Sequence, residues 1–167
     1  MEKQIKCSCG GLFNYVIGPT HEYIESVPGC WAVYCEILGK EYSSFDQLKE
    51  THRLTVDTYA VQHPGNPGRK STQSVWGHLI AMYYMIELNT GEARALSILK
   101  KFINNKLELN WLKPPDFEGT MTVSDVITAK DIHEHNVLVK KWADSVWDRW
   151  YSVYKNEISK MIINMKD

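Results

Sequence analysis

Two stretches of this chain concentrate the residue types that do chemistry. The first is the run His52-Arg53-Leu54-Thr55-Val56-Asp57-Thr58-Tyr59-Ala60-Val61-Gln62-His63-Pro64-Gly65, which sets two histidines, an arginine and an aspartate among apolar neighbours. At about 100° per residue, Leu54, Val56, Ala60 and Val61 span one arc of a helix, and Asp57 falls inside it. A carboxylate on a buried arc must be paired or lose its charge, and Arg53 stands one turn back to pair with it. Placed among apolar groups, such an aspartate can act as a base or as a ligand to a cation.

The second stretch is Cys7-Ser8-Cys9-Gly10-Gly11, which has the make-up of half a zinc knuckle. Thiolates are soft ligands for zinc-class cations, and the glycines let the backbone wrap the ion. The spacing is CxC where CxxC is usual. A tetrahedral site needs two further donors, and His21, Cys30 and Cys35 are the nearby ones. From these we expect Cys7, Cys9, His21 and Cys30 to hold a structural zinc. The plainer alternative is that Cys30 and Cys35 serve as small buried hydrophobes.

The elements that must position these residues are helical after an irregular start. Residues 1–27, with Gly10, Gly11, Gly18 and Pro19, suit turns and a short hairpin. Ser26 and Pro28 suit the start of a first helix. Ser43, Ser44 and Asp46 can cap a second from Phe45 to Gln62, which His63-Pro64-Gly65 ends because the residue before proline is pushed out of the helical region. A third helix from Ser71 or Thr72 to about Asn89 is apolar on nearly every side, which predicts the centre of the core. Thr90 can cap a fourth helix through Asn104. Residues 105–121, with Trp111, Pro114 and Pro115, read as a loop across the helices. Asp131 opens a long helix toward Met165, with Val139, Trp142, Val146, Trp150 and Val153 as its apolar stripe.

If the second and third helices form an antiparallel hairpin about Gly68, residue numbers at one level sum to roughly 136, which places Asp57 to Tyr59 beside His78. His78 lies between Ser74, Met82 and Met85 on its wheel, where burial favours the neutral imidazole unless a carboxylate supports the charge. His135 begins the stripe of the long helix and also points inward. His52 and His63 lie roughly 16 Å apart along one helix, too far for a single ion. The expected internal site is therefore His63, His78 and His135 as metal ligands, with Asp57 and His78 in the catalytic roles. Histidine and carboxylate sets between helices commonly hold zinc or another divalent transition metal. The plainer reading is that each is a hydrogen-bonded core residue.

The chain has 167 residues, enough for one domain with a real core. Its 19 Lys and Arg balance 20 Asp and Glu, for a net charge of −1. Interspersed charges give no basic face for nucleic acid, and no apolar run reaches the roughly 18 residues of a membrane span. Met1 to Lys6 is charged and followed by cysteines, which predicts no secretory signal and a cytoplasmic, reducing setting in which four cysteines are thiols or ligands. No oligomeric state follows from these features. The glycine-rich loop 64–70 carries neither a P-loop nor a dinucleotide fingerprint, and no nucleophile elbow occurs.

Several segments together resemble a bacterial family of uncharacterised function: Gly18-Pro19-Thr20-His21-Glu22-Tyr23, Pro28-Gly29-Cys30-Trp31, His52 to Gly65, Gln73-Ser74-Val75 through His78-Leu79, Trp111-Leu112 with Pro114-Pro115, and His135 through Trp147. The resemblance covers most of the chain and implies a shared fold and site without naming a reaction. Members of that family commonly carry CxxCG before the GPTHxY segment; Cys9-Gly10 fits this and Cys7 departs by one position. Ser74 to Ile80 is also similar to one helix of the DinB-like metal-binding bundles, which commonly use an HxxxH pair that this chain lacks.

The sequence thus predicts an all-α domain spanning 1–167, with a small irregular, zinc-binding N-terminal segment (1–27) and a bundle of about four core helices (28–167). The function it points to is metal binding, with a metal-dependent hydrolase or transferase acting on a small-molecule substrate as the leading reading. The alternative is a non-enzymatic interaction module with a structural zinc.

Overall fold

The computed structural model describes residues 3–105 and 107–165. Met1 and Glu2 of the charged start, Lys106 of the 105–121 connection, and Lys166 and Asp167 lie outside the described residues. The chain is mostly helical, with one small hairpin at its start. Strands β1 (Gln4–Lys6) and β2 (Leu12–Asn14) pair antiparallel with Ile5 opposite Phe13. Helix α1 (Pro28–Ser43) begins on proline, where the missing N–H has no partner to lose. Helix α2 (Phe45–Gln62) stops at His63-Pro64, as the sequence predicts. Helix α3 (Arg69–Met82) passes into a wider π turn at Tyr83–Glu87, and α4 is Glu92–Asn104.

A single turn, α5 (Val123–Val126), is fixed by a capping box. The Thr122 hydroxyl oxygen accepts from the Ser124 N–H at 3.2 Å, and Asp125 accepts the Thr122 N–H at 2.7 Å. Helix α6 (Ile132–Asn164) starts at Asp131, whose carboxylate accepts the Glu134 N–H at 2.8 Å. Thr90, read from sequence as a helix cap, instead donates its hydroxyl back to the Tyr84 carbonyl at 2.7 Å, and Gly91 caps α4.

The core gathers about α2, which packs on α1, α3 and α6, whereas the sequence pointed to the third helix. Every residue from Asp57 to Gly65 is buried. Hydropathy hid this because the stretch is rich in polar groups, each needing a partner in the interior. The Gln62 amide donates to Thr120 Oγ1 (3.0 Å) and the Met121 carbonyl (2.8 Å) and accepts from Trp142 Nε1 (2.9 Å). Trp150 Nε1 donates to the Val61 carbonyl at 3.0 Å.

On α6 the stripe holds through Val139, Trp142, Val146 and Trp150, but Val153 is exposed. The helix kinks at Tyr154 (φ −118°, ψ 22°), and the seam continues through Tyr154, Ile158 and Ile162. Two glycines set close approaches. A Cβ on Gly29 would strike the Asn14 carbonyl oxygen, so α1 sits directly on the hairpin, and one on Gly77 would meet Leu99 at 3.2 Å, where α4 crosses α3. Among the described residues no helix is long and apolar enough to cross a membrane.

Candidate functional site

The hairpin turn, the start of α1 and the end of α2 bring Cys7, Cys9, Cys30 and His63 together. All four are buried, and their ligand atoms lie within 4.8 Å of one another. The turn is built for this. Gly10 N–H donates to the Cys7 carbonyl (3.0 Å), Cys7 N–H donates to the Gly11 carbonyl (2.9 Å), and Gly10 takes φ +86°, a region open mainly to glycine.

The loop before α1 runs beside the end of α2. Ile24 bridges Pro64, Glu25 N–H donates to the His63 carbonyl at 3.0 Å, and Val27 N–H donates to Cys7 Sγ at 3.5 Å. His63 Nδ1 lies 2.9 Å from the Tyr59 carbonyl, which can only accept, so the ring proton sits on Nδ1. Nε2 then carries its lone pair toward Cys30 Sγ, 3.3 Å away. This is the arrangement by which a backbone carbonyl fixes the tautomer of a metal-bound imidazole. Tyr59 also donates its hydroxyl to Cys30 Sγ (3.6 Å) and stacks on Tyr34 at 3.8 Å, which walls the cluster from the interior.

The donor set fits a zinc-class cation: three sulfurs and one imidazole nitrogen, closed on all sides. Three thiols this close cannot share ionisation without a cation. Contact with Cys7 and Cys9, then burial, pushes the Cys30 thiol far up. Contact with Cys30 favours the Cys9 thiolate, yet contact with Cys7 and burial win and push Cys9 up to about 12. A divalent ion reverses this balance by taking the sulfurs as thiolates.

A second constellation lies further back along α2. The Asp57 carboxylate is fully buried and takes a two-armed clamp from Arg53, with Nε donating to Oδ2 at 2.8 Å and the terminal nitrogen to Oδ1. His78 Nδ1, on α3, lies 2.6 Å from Asp57 Oδ1. A carboxylate only accepts, so Nδ1 donates, and Nε2 of the neutral ring keeps its lone pair with no partner among the described residues. His78 keeps 21% of its side-chain exposure and lines a cleft of about 500 Å³ with Gln73, Ser74, Leu99, Phe102 and Ile103. The result is an oriented imidazole that opens onto a cavity large enough for a small molecule.

The third constellation joins α1, α2 and α6. Glu41 is fully buried; its Oε1 accepts from His135 Nε2 (2.8 Å) and the Thr55 hydroxyl (2.6 Å), and its Oε2 from His52 Nδ1 (2.7 Å). Burial alone would raise this carboxyl, but donors from His135, His52 and Thr55 outweigh it and hold Glu41 below its usual 4.5. A depressed carboxyl stabilises the fold above its unfolded value, and that contribution is lost as pH falls through the lower folded value. Removing the charge in Glu41→Gln is expected to cost about 3 kcal/mol near neutrality. The difference from the unsubstituted chain should shrink once the pH drops below about 4.5, as urea unfolding across pH would show.

Against the sequence expectations, the structure brings Asp57 and His78 into contact at the level the helical hairpin predicts. It does not bring His63, His78 and His135 together: His63 joins the thiols, and His135 joins Glu41. The first sits just past the end of α2, 3.3 Å from Cys30 Sγ, and the last lies on α6, 2.8 Å from the Glu41 carboxylate of α1. In the zinc candidate set, His63 stands where His21 was expected. His21 is half-buried and occupied otherwise, its Nδ1 accepting from the Tyr23 N–H at 3.5 Å and its ring edge-on to Tyr23 at 4.3 Å. Cys35 is exposed and apart from the cluster. Glu41 was missed altogether; its signal was a carboxylate on the inward side of α1, four residues after Ile37.

The chain belongs to a family of unknown function (DUF5946), whose model matches residues 4–151, a span that holds all three constellations. No curated protein and no solved structure matches it.

Proposed function

Starting from membership of that family, we propose that the chain is a zinc-class metal-binding protein whose ion is structural, and that it acts as a hydrolase or transferase on a small molecule at a separate, metal-free centre, His78 with Asp57. The observation that carries the reading is the division of labour in the geometry. The Cys7, Cys9, Cys30 and His63 donors close on one another with no open side, which suits a structural ion, while His78 faces a cleft that holds none of them. Bound there, the ion would supply cross-linking of the hairpin to α1 and α2.

At the cleft, Asp57 fixes the imidazole and Arg53 holds Asp57. His78 Nε2 takes the proton of a water as its oxygen attacks an acyl carbon, and the imidazolium then returns that proton to the departing oxygen. In transfer, an acceptor hydroxyl or thiol replaces the water. Elemental analysis of the purified protein and two variants tests the division. One equivalent of metal should persist in His78→Ala and vanish in Cys9→Ala, while turnover of small activated esters should fall by about 10²–10⁴ in His78→Ala. Metal lost in His78→Ala with the fold intact would sink the reading.

A second reading, a non-enzymatic interaction module built on the same zinc, is favoured by the exposed apolar run beyond the hairpin, where Ile17 keeps 92% of its exposure beside Tyr15 and Val16. Ester turnover indifferent to His78→Ala, with the metal retained, would favour this module.

A further inference from the structure

The cleft beside His78 shares Gln73, Phe102 and Ile103 with a second hollow of about 560 Å³, so the two form one groove along α3 and α4. Apolar side chains recur along it, Leu99 and Phe102 at the His78 end and Leu107 and Leu109 at the other, interspersed with Thr72, Gln73 and Asn105. Its charges are of one sign. Among the described residues no aspartate or glutamate lines either hollow; Arg69 borders the far one and Lys70 the near one. Lys70 is spent on an exposed pair with Glu22 at 3.0 Å, whereas Arg69 makes no ion pair among the described residues. Arg69 also opens α3, whose first turn has no side-chain cap, so backbone N–H groups add to the positive end. Helical rise separates Arg69 from His78 by about 14 Å.

We infer that this groove binds an apolar-bodied anion, an ester or thioester whose alkyl or aryl chain carries a carboxylate or similar group at its far end. The anion sits at Arg69, the chain lies along Phe102, Ile103 and Leu109, and the acyl carbon reaches His78. The proposal rests on the reading of His78 as the base and names what that base would act upon. A cationic amphiphile would meet Arg69 with like charge, and a purely polar ligand would leave Leu99, Phe102, Leu107 and Leu109 uncovered.

Calorimetric titration of the metal-loaded protein with decanoate and with the decyltrimethylammonium ion tests it. Decanoate should bind at least about tenfold more tightly than the cation. Arg69→Glu should abolish that preference, and Ile103→Asp should weaken decanoate by about tenfold or more. Equal binding of the two amphiphiles, no binding of decanoate, or indifference to Arg69→Glu would overturn the assignment. Decanoate binding as described, together with ester turnover insensitive to His78→Ala, would uphold the ligand class and remove the general base.

Discussion

Stripping the metal with a chelator, or replacing Cys9 with alanine, is expected to lower the melting temperature by roughly 10 °C or more. The physical reason lies in how little else holds the first strands down. The hairpin has three residues in each strand, and its exposed ion pair from Lys6 to Glu118 contributes little. An ion bound to the native state alone stabilises it by about 4 kcal/mol at a thousandfold excess over its dissociation constant. Without the ion, the sulfurs of Cys7, Cys9 and Cys30 are pressed together with no cation between them, contact with Cys30 and Cys9 drives the Cys7 thiol down while the other two are pushed up, and the Tyr59 carbonyl holds an imidazole with nothing to ligate. His63→Ala should behave as Cys9→Ala does, and His21→Ala should retain the metal. Thermal unfolding followed by circular dichroism, with metal content measured on the same samples, checks all three; a chelated protein melting with the untreated one would contradict the expectation.

Asp57→Ala is expected to destabilise the fold by about 3–5 kcal/mol, more than His78→Ala. The asymmetry follows from burial. Asp57 is fully enclosed and, among the described side chains, is the carboxylate that pairs with the Arg53 guanidinium, so its loss leaves a half-buried cation and an imidazole N–H short of an acceptor. His78 is partly solvated, and water can replace it at Oδ1. Asp57→Asn should recover part of the loss, since the amide oxygen still accepts one donor, but it should not recover turnover, because the ring would no longer be held in the tautomer that frees Nε2. Urea unfolding of the three variants, beside their ester turnover, separates the two effects.

What the sequence disclosed was local. The Asp131 cap and the His63-Pro64 stop placed the start of α6 and the end of α2 to within a residue or two, although no serine side chain caps α2, and loop symmetry about Gly68 put Asp57 beside His78. Both depend on short spacings within one element or across one turn. The partnership of His63 with Cys7 and Cys9 depends on the 18–27 loop lying against Pro64 and Gly65, a pairing of backbone with no hydropathy signature. The histidines divided among three centres for the same reason: wheel position tells which way a side chain points, and only the packing of α1 and α6 on α2 tells what it meets. The centrality of α2 stayed hidden because several of its buried side chains are polar and find their partners on α1, α3 and α6.

Metal-edge X-ray absorption on the purified protein tests the central claim most directly. The expected spectrum is that of one zinc-class ion with three sulfur neighbours and one imidazole nitrogen, unchanged in His78→Ala and in His135→Ala and reduced in sulfur count in Cys30→Ser. A coordination shell dominated by nitrogen and oxygen, or one altered by His78→Ala, would place the ion among the interior histidines and contradict the separation of metal and base.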